Sequence, residues 1–111
     1  MTVTVKVLIP AKIAEATQTT QYTATGVTTI IDKFTATNYS ASAATISINL
    51  VTGSFSSGNQ NLITKTKTLQ PAEVYTFPEI VGQVLGSGDF ISTIAGTATS
   101  INIRASGREV S

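Results

Sequence analysis

Residues that could carry out chemistry are few in this 111-residue chain. It contains no Cys and no His, which excludes a thiolate nucleophile, the usual zinc ligands and the commonest general base. A serine nucleophile would need a lysine as its base, yet Lys65 and Lys67 alternate with threonines as on a solvated strand face. Glu73 and Glu79 are close in sequence, but a turn and a helix start explain both. We therefore predict no catalytic residue, no metal site, no cofactor and no enzymatic activity.

Charge and hydropathy narrow the choice of partners. The net charge is +1 and only 12% of the residues are charged, about half the usual share. The basic residues are scattered among the acidic ones, whereas a nucleic-acid-binding domain normally shows a basic patch. No apolar run approaches the roughly 18 residues needed to cross a bilayer, and the first residues do not have the pattern of a secretory signal. We expect a protein made in a cytoplasm that contacts neither nucleic acid nor membrane. A weakly charged surface favours close assembly with other proteins.

The elements that must position any functional residue are strands. Twenty Thr and eleven Ser accompany many Val and Ile, and threonine and the aliphatic β-branched residues fit a pleated, half-buried surface. Thr2–Ile9 alternates strictly, with Val3, Val5 and Val7 on one face, and Pro10 is expected to end this strand.

Further alternating runs predict a sandwich. Val27–Asn38 and Thr45–Val51 are separated by a short turn-rich link, which predicts an antiparallel hairpin. Leu62–Leu69 carries two lysines, which mark it as a strand that either faces solvent or lies at a sheet edge. Pro78, Glu79 and Gly86 frame a single short helical turn over residues 78–85. Other strands are predicted over Val74–Phe77, Phe90–Ala95 and Ser100–Ala105.

Seven or eight short strands in 111 residues predict an all-β protein with a single antiparallel β-sandwich of jelly-roll type. We expect one domain over residues 1–111, with 1–9 forming an arm or edge strand.

Five residues are candidate contacts for a partner. Tyr39 and Phe55 fall in predicted loops, where an aromatic side chain either folds back as a lid or meets a partner. Val3, Val5 and Val7 line a regular strand near the start of the chain. That strand could pair within its own domain or could add to the sheet edge of a neighbour.

Several stretches of the chain resemble a known family. The resemblance is carried by Tyr22–Lys33, Thr37–Asn38, Leu62–Lys65, Thr76–Leu85 and Arg104–Val110. Within Thr76–Leu85, the segment Pro-Glu-Ile-Val-Gly-Gln-Val-Leu is the most specific. The chain thereby resembles small, Thr-rich virion proteins of tailed bacteriophages, over all but its first 20 or so residues.

The resemblance implies a structural component of a phage particle, made in the cytoplasm of the host bacterium. The leading expectation is a head decoration (cement) protein that binds the major capsid protein or other virion proteins as a homo-oligomer, with a trimer favoured. The alternative is a tail, baseplate or fibre-associated module that binds a host surface glycan. That alternative predicts an exposed aromatic pair at Tyr39 and Phe55.

Overall fold

The computed structural model describes every residue from Met1 to Ser111, and its regular structure is almost entirely β. A single 3-10 turn, Asn59–Asn61, is the only helical segment. It is far too short to cross a membrane, and the chain holds no other helix that could. The nine strands are β1 (Val3–Ile13), β2 (Thr19–Thr23), β3 (Thr28–Asn38), β4 (Ala44–Val51), β5 (Leu62–Leu69), β6 (Val74–Tyr75), β7 (Val84–Leu85), β8 (Phe90–Ala95) and β9 (Ile101–Val110).

The strands form two antiparallel sheets. The first sheet has the order β1-β9-β3-β6, and β7 also pairs with β3. The second sheet has the order β2-β8-β4-β5. If β6 and β7 are counted as one interrupted strand, each sheet has four strands and the chain passes back and forth between them as in a jelly roll. The predicted all-β sandwich is confirmed.

The inner faces of the two sheets enclose one hydrophobic core of 20 buried residues. Near its centre, the rings of Phe34 and Phe77 meet edge to face with their centroids 5.1 Å apart. Tyr75 meets Phe77 in the same way at 4.6 Å. Such pairs add to the stabilisation that burial of the rings already provides.

Strand β1 is longer than the sequence suggested. The prediction that Pro10 ends the strand was wrong, since pairing with β9 continues to Ile13. β1 is the outermost strand of its sheet, and an edge strand tolerates a residue without an N–H group. The register shifts between Val7 and Ile9 and again between Ile9 and Lys12, so the proline lies in a bulged stretch.

The predicted hairpin between residues 27–38 and 45–51 was also wrong. β3 lies in the first sheet and β4 in the second, so the short link between them crosses from one layer to the other. β3 pairs instead with β9, β6 and β7, and β4 pairs with β8 and β5. Of the two alternatives for Leu62–Leu69, the structure shows the sheet edge, because β5 pairs only with β4.

The helical turn predicted for residues 78–85 was wrong as well. Turns follow one another from Pro78, and β7 begins at Val84. Gly82 has a positive φ of 87°, and its N–H donates to the Ile31 carbonyl of β3 at 2.7 Å. Val81 N–H still donates to the Phe77 carbonyl four residues earlier, at 3.2 Å, but Gln83 in turn accepts from the Ile31 N–H at 3.0 Å. The segment is thereby drawn back to the sheet after a single turn, and no helix continues.

The outer face of the second sheet is covered by polar groups. Asn49 on β4 donates to the Gly58 carbonyl at 3.0 Å and to Asn61 Oδ1 at 2.7 Å. Gln18 donates to Ser92 Oγ at 2.7 Å. The Asn49 bonds hold the loop between β4 and β5 against the sheet, and the Gln18 bond holds the segment before β2 there. The buried polar side-chain atoms are thus satisfied within the domain.

Candidate protein-binding surface

The first half of β1 forms, with the end of β9, an arm that we define as residues 2–7 and 106–111. Val3, Val5 and Val7 are 52%, 83% and 41% exposed, and every residue from Met1 to Val7 is exposed. β1 pairs with β9 of its own domain, while its other edge faces solvent. The structure thus gives an intramolecular partner to one side of the predicted N-terminal strand and leaves the other side free.

The exposed valines belong to a wider apolar surface on the outer face of the first sheet. The strand register places Val5 opposite Arg108, Arg108 opposite Ile30, and Ile30 opposite Val84. Residues opposite one another in antiparallel strands share a face, so this row crosses four strands. Val3 and Val110 form the neighbouring pair on the same face. We call the apolar members the valine face: Val3, Val5, Val7, Ile30, Val84 and Val110.

The one cation in the central row of the valine face is paired. Arg108 donates to both carboxylate oxygens of Asp32, with its Nη2 and Nε at 2.9 and 3.0 Å from them. The guanidinium lowers the pKa of the Asp32 carboxyl. This two-point geometry holds the arginine beside Ile30 while offsetting its charge. An exposed apolar patch with a polar rim is typical of a protein-binding surface.

The opposite face of the arm is tied to the second sheet. Tyr22 on β2 contacts Glu109 Oε2 on β9 at 2.5 Å and Thr29 Oγ1 on β3 at 2.7 Å. Because a carboxylate only accepts, Tyr22 donates to Glu109 and Thr29 donates to the tyrosine oxygen. Lys6 on β1 completes the group, with its Nζ 3.2 Å from Glu109 Oε2. The arm is therefore fixed in position relative to the second sheet by a contact at its middle.

The same group shifts two pKa values. Burial, followed by the neighbouring Glu109 carboxylate, raises the pKa of Tyr22 to about 12. The hydrogen bond from Tyr22, followed by that from Lys6, lowers the pKa of Glu109 below 4.5. At neutral pH the tyrosine is a neutral donor and the glutamate an ionised acceptor.

The two candidate aromatic residues, Tyr39 and Phe55, are exposed but lie at opposite ends of the sandwich. Tyr39 is 49% exposed and follows the end of β3, whereas Phe55 is 63% exposed and follows the end of β4. The eight residues of β4 alone separate these ends by roughly 23 Å. The aromatic pair expected for a glycan-binding module is not formed. Tyr39 instead borders a shallow depression of about 510 Å³, lined also by Ile13, Thr37 and Asn102.

The carboxylates examined for chemistry each have a structural contact. Glu73 accepts from the backbone N–H of Gln70 at 2.7 Å. Glu79 accepts from Thr64 Oγ1 at 2.6 Å and from the Tyr75 hydroxyl at 3.0 Å, which links β5 of one sheet to β6 of the other. No group of three or more carboxylates that could hold a metal ion is present.

Comparisons with known proteins add nothing to this surface. No protein family, curated protein or solved structure matches the chain. The physical features of the surface therefore carry the functional argument.

Sequence reasoning found half of the valine face and missed the rest. Val84 was assigned to the helical turn, and Val110 lies beyond the last predicted strand. The doublet Ile30-Ile31 was the available signal, because adjacent apolar residues in a strand point to opposite faces. Ile31 is fully buried and Ile30 half-buried on the outer face, and a bulge follows between Ile31 and Lys33.

Proposed function

We propose that this chain is a structural protein of a tailed-phage particle, and most specifically a decoration protein that binds the capsid through its valine face. The observation that carries the proposal is an apolar surface in register across four strands, one side of which lies on the arm that Tyr22 and Glu109 hold in place. Jelly rolls occur in viral capsid proteins, although they also occur in lectins and enzymes. The resemblance of the sequence to phage virion proteins selects the first of these settings.

The size of the surface suits a role in which many copies act together. Full burial of one exposed valine contributes about 1.5 kcal/mol or more. The valine face offers only six aliphatic side chains, several of them already partly covered. Association costs at least about 4 kcal/mol in lost freedom of motion, so a single contact is weak. A lattice of identical sites can still bind such a protein usefully when copies contact one another as well as the shell.

The test uses particles of the phage whose genome encodes the chain, prepared without this gene. Purified protein added to these particles should bind the head up to a fixed ratio of copies per capsid subunit. It should also raise the temperature at which the shells release their DNA. Binding to isolated tails but not to heads would refute the decoration role, and binding to neither would refute a virion role.

Matched lysine variants test whether the valine face makes the contact. Val84→Lys places a charge in the central row and should reduce head binding at least about tenfold, because a buried unpaired charge is costly. Val74→Lys is the control, since Val74 is 55% exposed against 58% for Val84. It lies on the same sheet, seven positions further along β3, or about 23 Å away. Equal binding by both variants would exclude the valine face as the contact.

The depression beside Tyr39 favours a second candidate, a tail or fibre module that binds a host glycan. An exposed aromatic ring beside the Asn102 amide and the Thr37 hydroxyl offers both a stacking surface and hydrogen-bonding groups. Tyr39→Ala should then abolish binding on an array of bacterial surface glycans, while Phe55→Ala, a loop aromatic at the other end of the sandwich, should not. Absence of any bound glycan for the wild-type protein would remove this candidate.

A further inference from the structure

The free edge of the arm has backbone groups ready to pair. Thr2 and Ser111 exchange both backbone hydrogen bonds, at 3.1 and 2.9 Å. In an antiparallel ladder such pairs alternate with pairs whose N–H and C=O groups point away from the partner strand. Since the register from Val3 to Val7 is unbroken, the backbone groups of Val3, Val5 and Val7 all point to the free edge.

The two halves of β1 differ in how well their free edge is protected against pairing with a further strand. From Val7 onward the strand has two register shifts and Pro10, which are devices that prevent a further strand from adding. From Val3 to Val7 it has no bulge, no proline and a single charge, Lys6, which is already paired with Glu109. The first half of β1 is therefore an unprotected edge.

The other sheet edges of the chain do not match it. β6 and β7 have two residues each. β5 carries two lysines, and its register against β4 shifts twice. β2 has five residues with a register shift against β8. A second copy of the chain therefore offers one long, regular edge for the arm to meet, and that edge is the same arm.

From this geometry we infer that two copies of the chain pair arm to arm, antiparallel, about a two-fold axis at Val5. Val5 of each copy then lies opposite Val5 of the other, and Val3 lies opposite Val7. In these three pairs (Val5 with Val5, and Val3 with Val7 twice), the outward N–H and C=O groups face one another and can form hydrogen bonds between the two copies. A two-fold contact of this kind is self-complementary and closes at two copies.

The position of the charge favours this register over its neighbours. With the axis at Val5, Lys6 of each copy lies opposite Thr4 of the other. An axis at Lys6 would place two ammonium groups directly opposite one another, which is unfavourable. It would also bring the bulge after Val7 into the ladder. An axis at Val3 would bring only Val3 of each β1 opposite the other copy's β1.

The area of such a contact predicts a weak dimer. Two short paired strands bury several hundred Å², which is below the roughly 1,200 Å² of a standard stable interface. The dissociation constant of the dimer should therefore lie in the micromolar to millimolar range. The pairing leaves the valine face uncovered and doubles its width. The dimer would replace the trimer implied by the resemblance, and it does not depend on capsid binding.

Sedimentation equilibrium of the purified full-length chain tests this pairing. The wild type should fit a monomer–dimer equilibrium. Val5→Lys should weaken dimerisation at least about tenfold, because two like charges would be placed opposite one another at the axis. Val5 is 83% exposed, and the charge of Arg108 opposite it is offset by Asp32, so the melting temperature of the variant should fall by only a few degrees, about 4–8 °C per kcal/mol lost. Val74→Lys, with the same change of charge on β6, should dimerise as the wild type does.

A mixture of variants tests the register itself. Val5→Glu alone should also be monomeric, while an equimolar mixture of Val5→Lys and Val5→Glu should form dimers, because the axis would then bring opposite charges together. A wild type that stays monomeric or forms trimers would overturn the pairing. So would a dimer that Val5→Lys leaves intact, or a mixture that fails to dimerise. Since capsid binding is measured separately, either proposal can fail without the other.

Discussion

Removal of the Tyr22 hydroxyl tests how the arm is held against the second sheet. In Tyr22→Phe, the hydrogen bond to the Glu109 carboxylate is lost, and a bond to a charged group is worth about 1.5–3 kcal/mol. Thr29, which is fully buried, also loses the acceptor for its hydroxyl, at a cost of about 1–3 kcal/mol if nothing replaces it. Since the two losses share one group and do not add fully, we expect the free energy of unfolding at neutral pH to fall by about 2–4 kcal/mol.

The pH dependence of this difference is the sharper part of the test. The pKa of Tyr22 is about 12 in the fold against 10.0 for an ordinary tyrosine, which corresponds to about 3 kcal/mol. A raised pKa stabilises the fold fully below pH 10, and the contribution disappears as the pH rises through 12. The lowered pKa of Glu109 has the opposite sense: its contribution is present above pH 4.5 and is lost as the pH falls through the folded value. The cost of Tyr22→Phe should therefore be largest near neutrality and shrink at both extremes.

Urea unfolding followed by far-ultraviolet circular dichroism, repeated across the pH range, measures this profile. Tyr39→Phe is the matched control, because that ring is 49% exposed and removal of an exposed hydroxyl should change stability by less than about 0.5 kcal/mol. Absorbance of tyrosinate should show Tyr22 ionising near pH 12. Equal stabilities of the two variants, or a cost of Tyr22→Phe that does not vary with pH, would refute this account of the arm.

Three further substitutions test the sandwich itself, each by thermal melting and urea unfolding. Gly107→Ala would drive a methyl group into the Ile30 carbonyl oxygen of β3, so we expect a loss of about 1–3 kcal/mol; an unchanged stability would show that β9 can move away from β3. Glu79→Ala removes the acceptor that links the two sheets and should cost about 1–3 kcal/mol; its control is Glu73→Ala at an equally half-buried glutamate, which removes only a local bond from the Gln70 N–H and should cost less. Phe34→Ala leaves a cavity at a fully buried position and should cost about 3–5 kcal/mol; a smaller loss would mean that the core collapses around the missing ring.

The fold class followed from the sequence because the alternation of apolar and polar residues is local. Val3, Val5 and Val7 alternate with polar residues, and strand β1 forms there. The same local reasoning failed at Pro10 and at residues 78–85. A proline ends a central strand but is accepted at an edge, and edge position depends on which strands pair. Pro78 and Gly82 suit successive turns as well as they suit a short helix, and a helix of two turns has little stability of its own.

The connection of strands could not be read from the sequence for a related reason. The link between residues 38 and 44 is equally suitable for a hairpin and for a crossing between sheets. The choice is made by the other strands, since β9 from the end of the chain takes the place beside β3 that a hairpin would have given to β4. The valine face could not be predicted for the same reason, since it too depends on which strands pair. Val5 and Val84 are far apart in sequence, and only the pairing of four strands brings them into one row.

The pairing of β1 with β9 also has a consequence for how the protein folds. Lys6 and Glu109 meet although they are 103 positions apart, and the first and last residues of the sheet lie side by side. Contacts of such long range form slowly, because the chain must lose the entropy of closing a long loop before these contacts can stabilise the fold. The arm should therefore be the last part of the sandwich to form. Since Thr2 and Ser111 are hydrogen-bonded neighbours, a short linker could join the two ends. A circular permutant opened in the loop between β4 and β5 would then keep the sandwich and assemble the arm first.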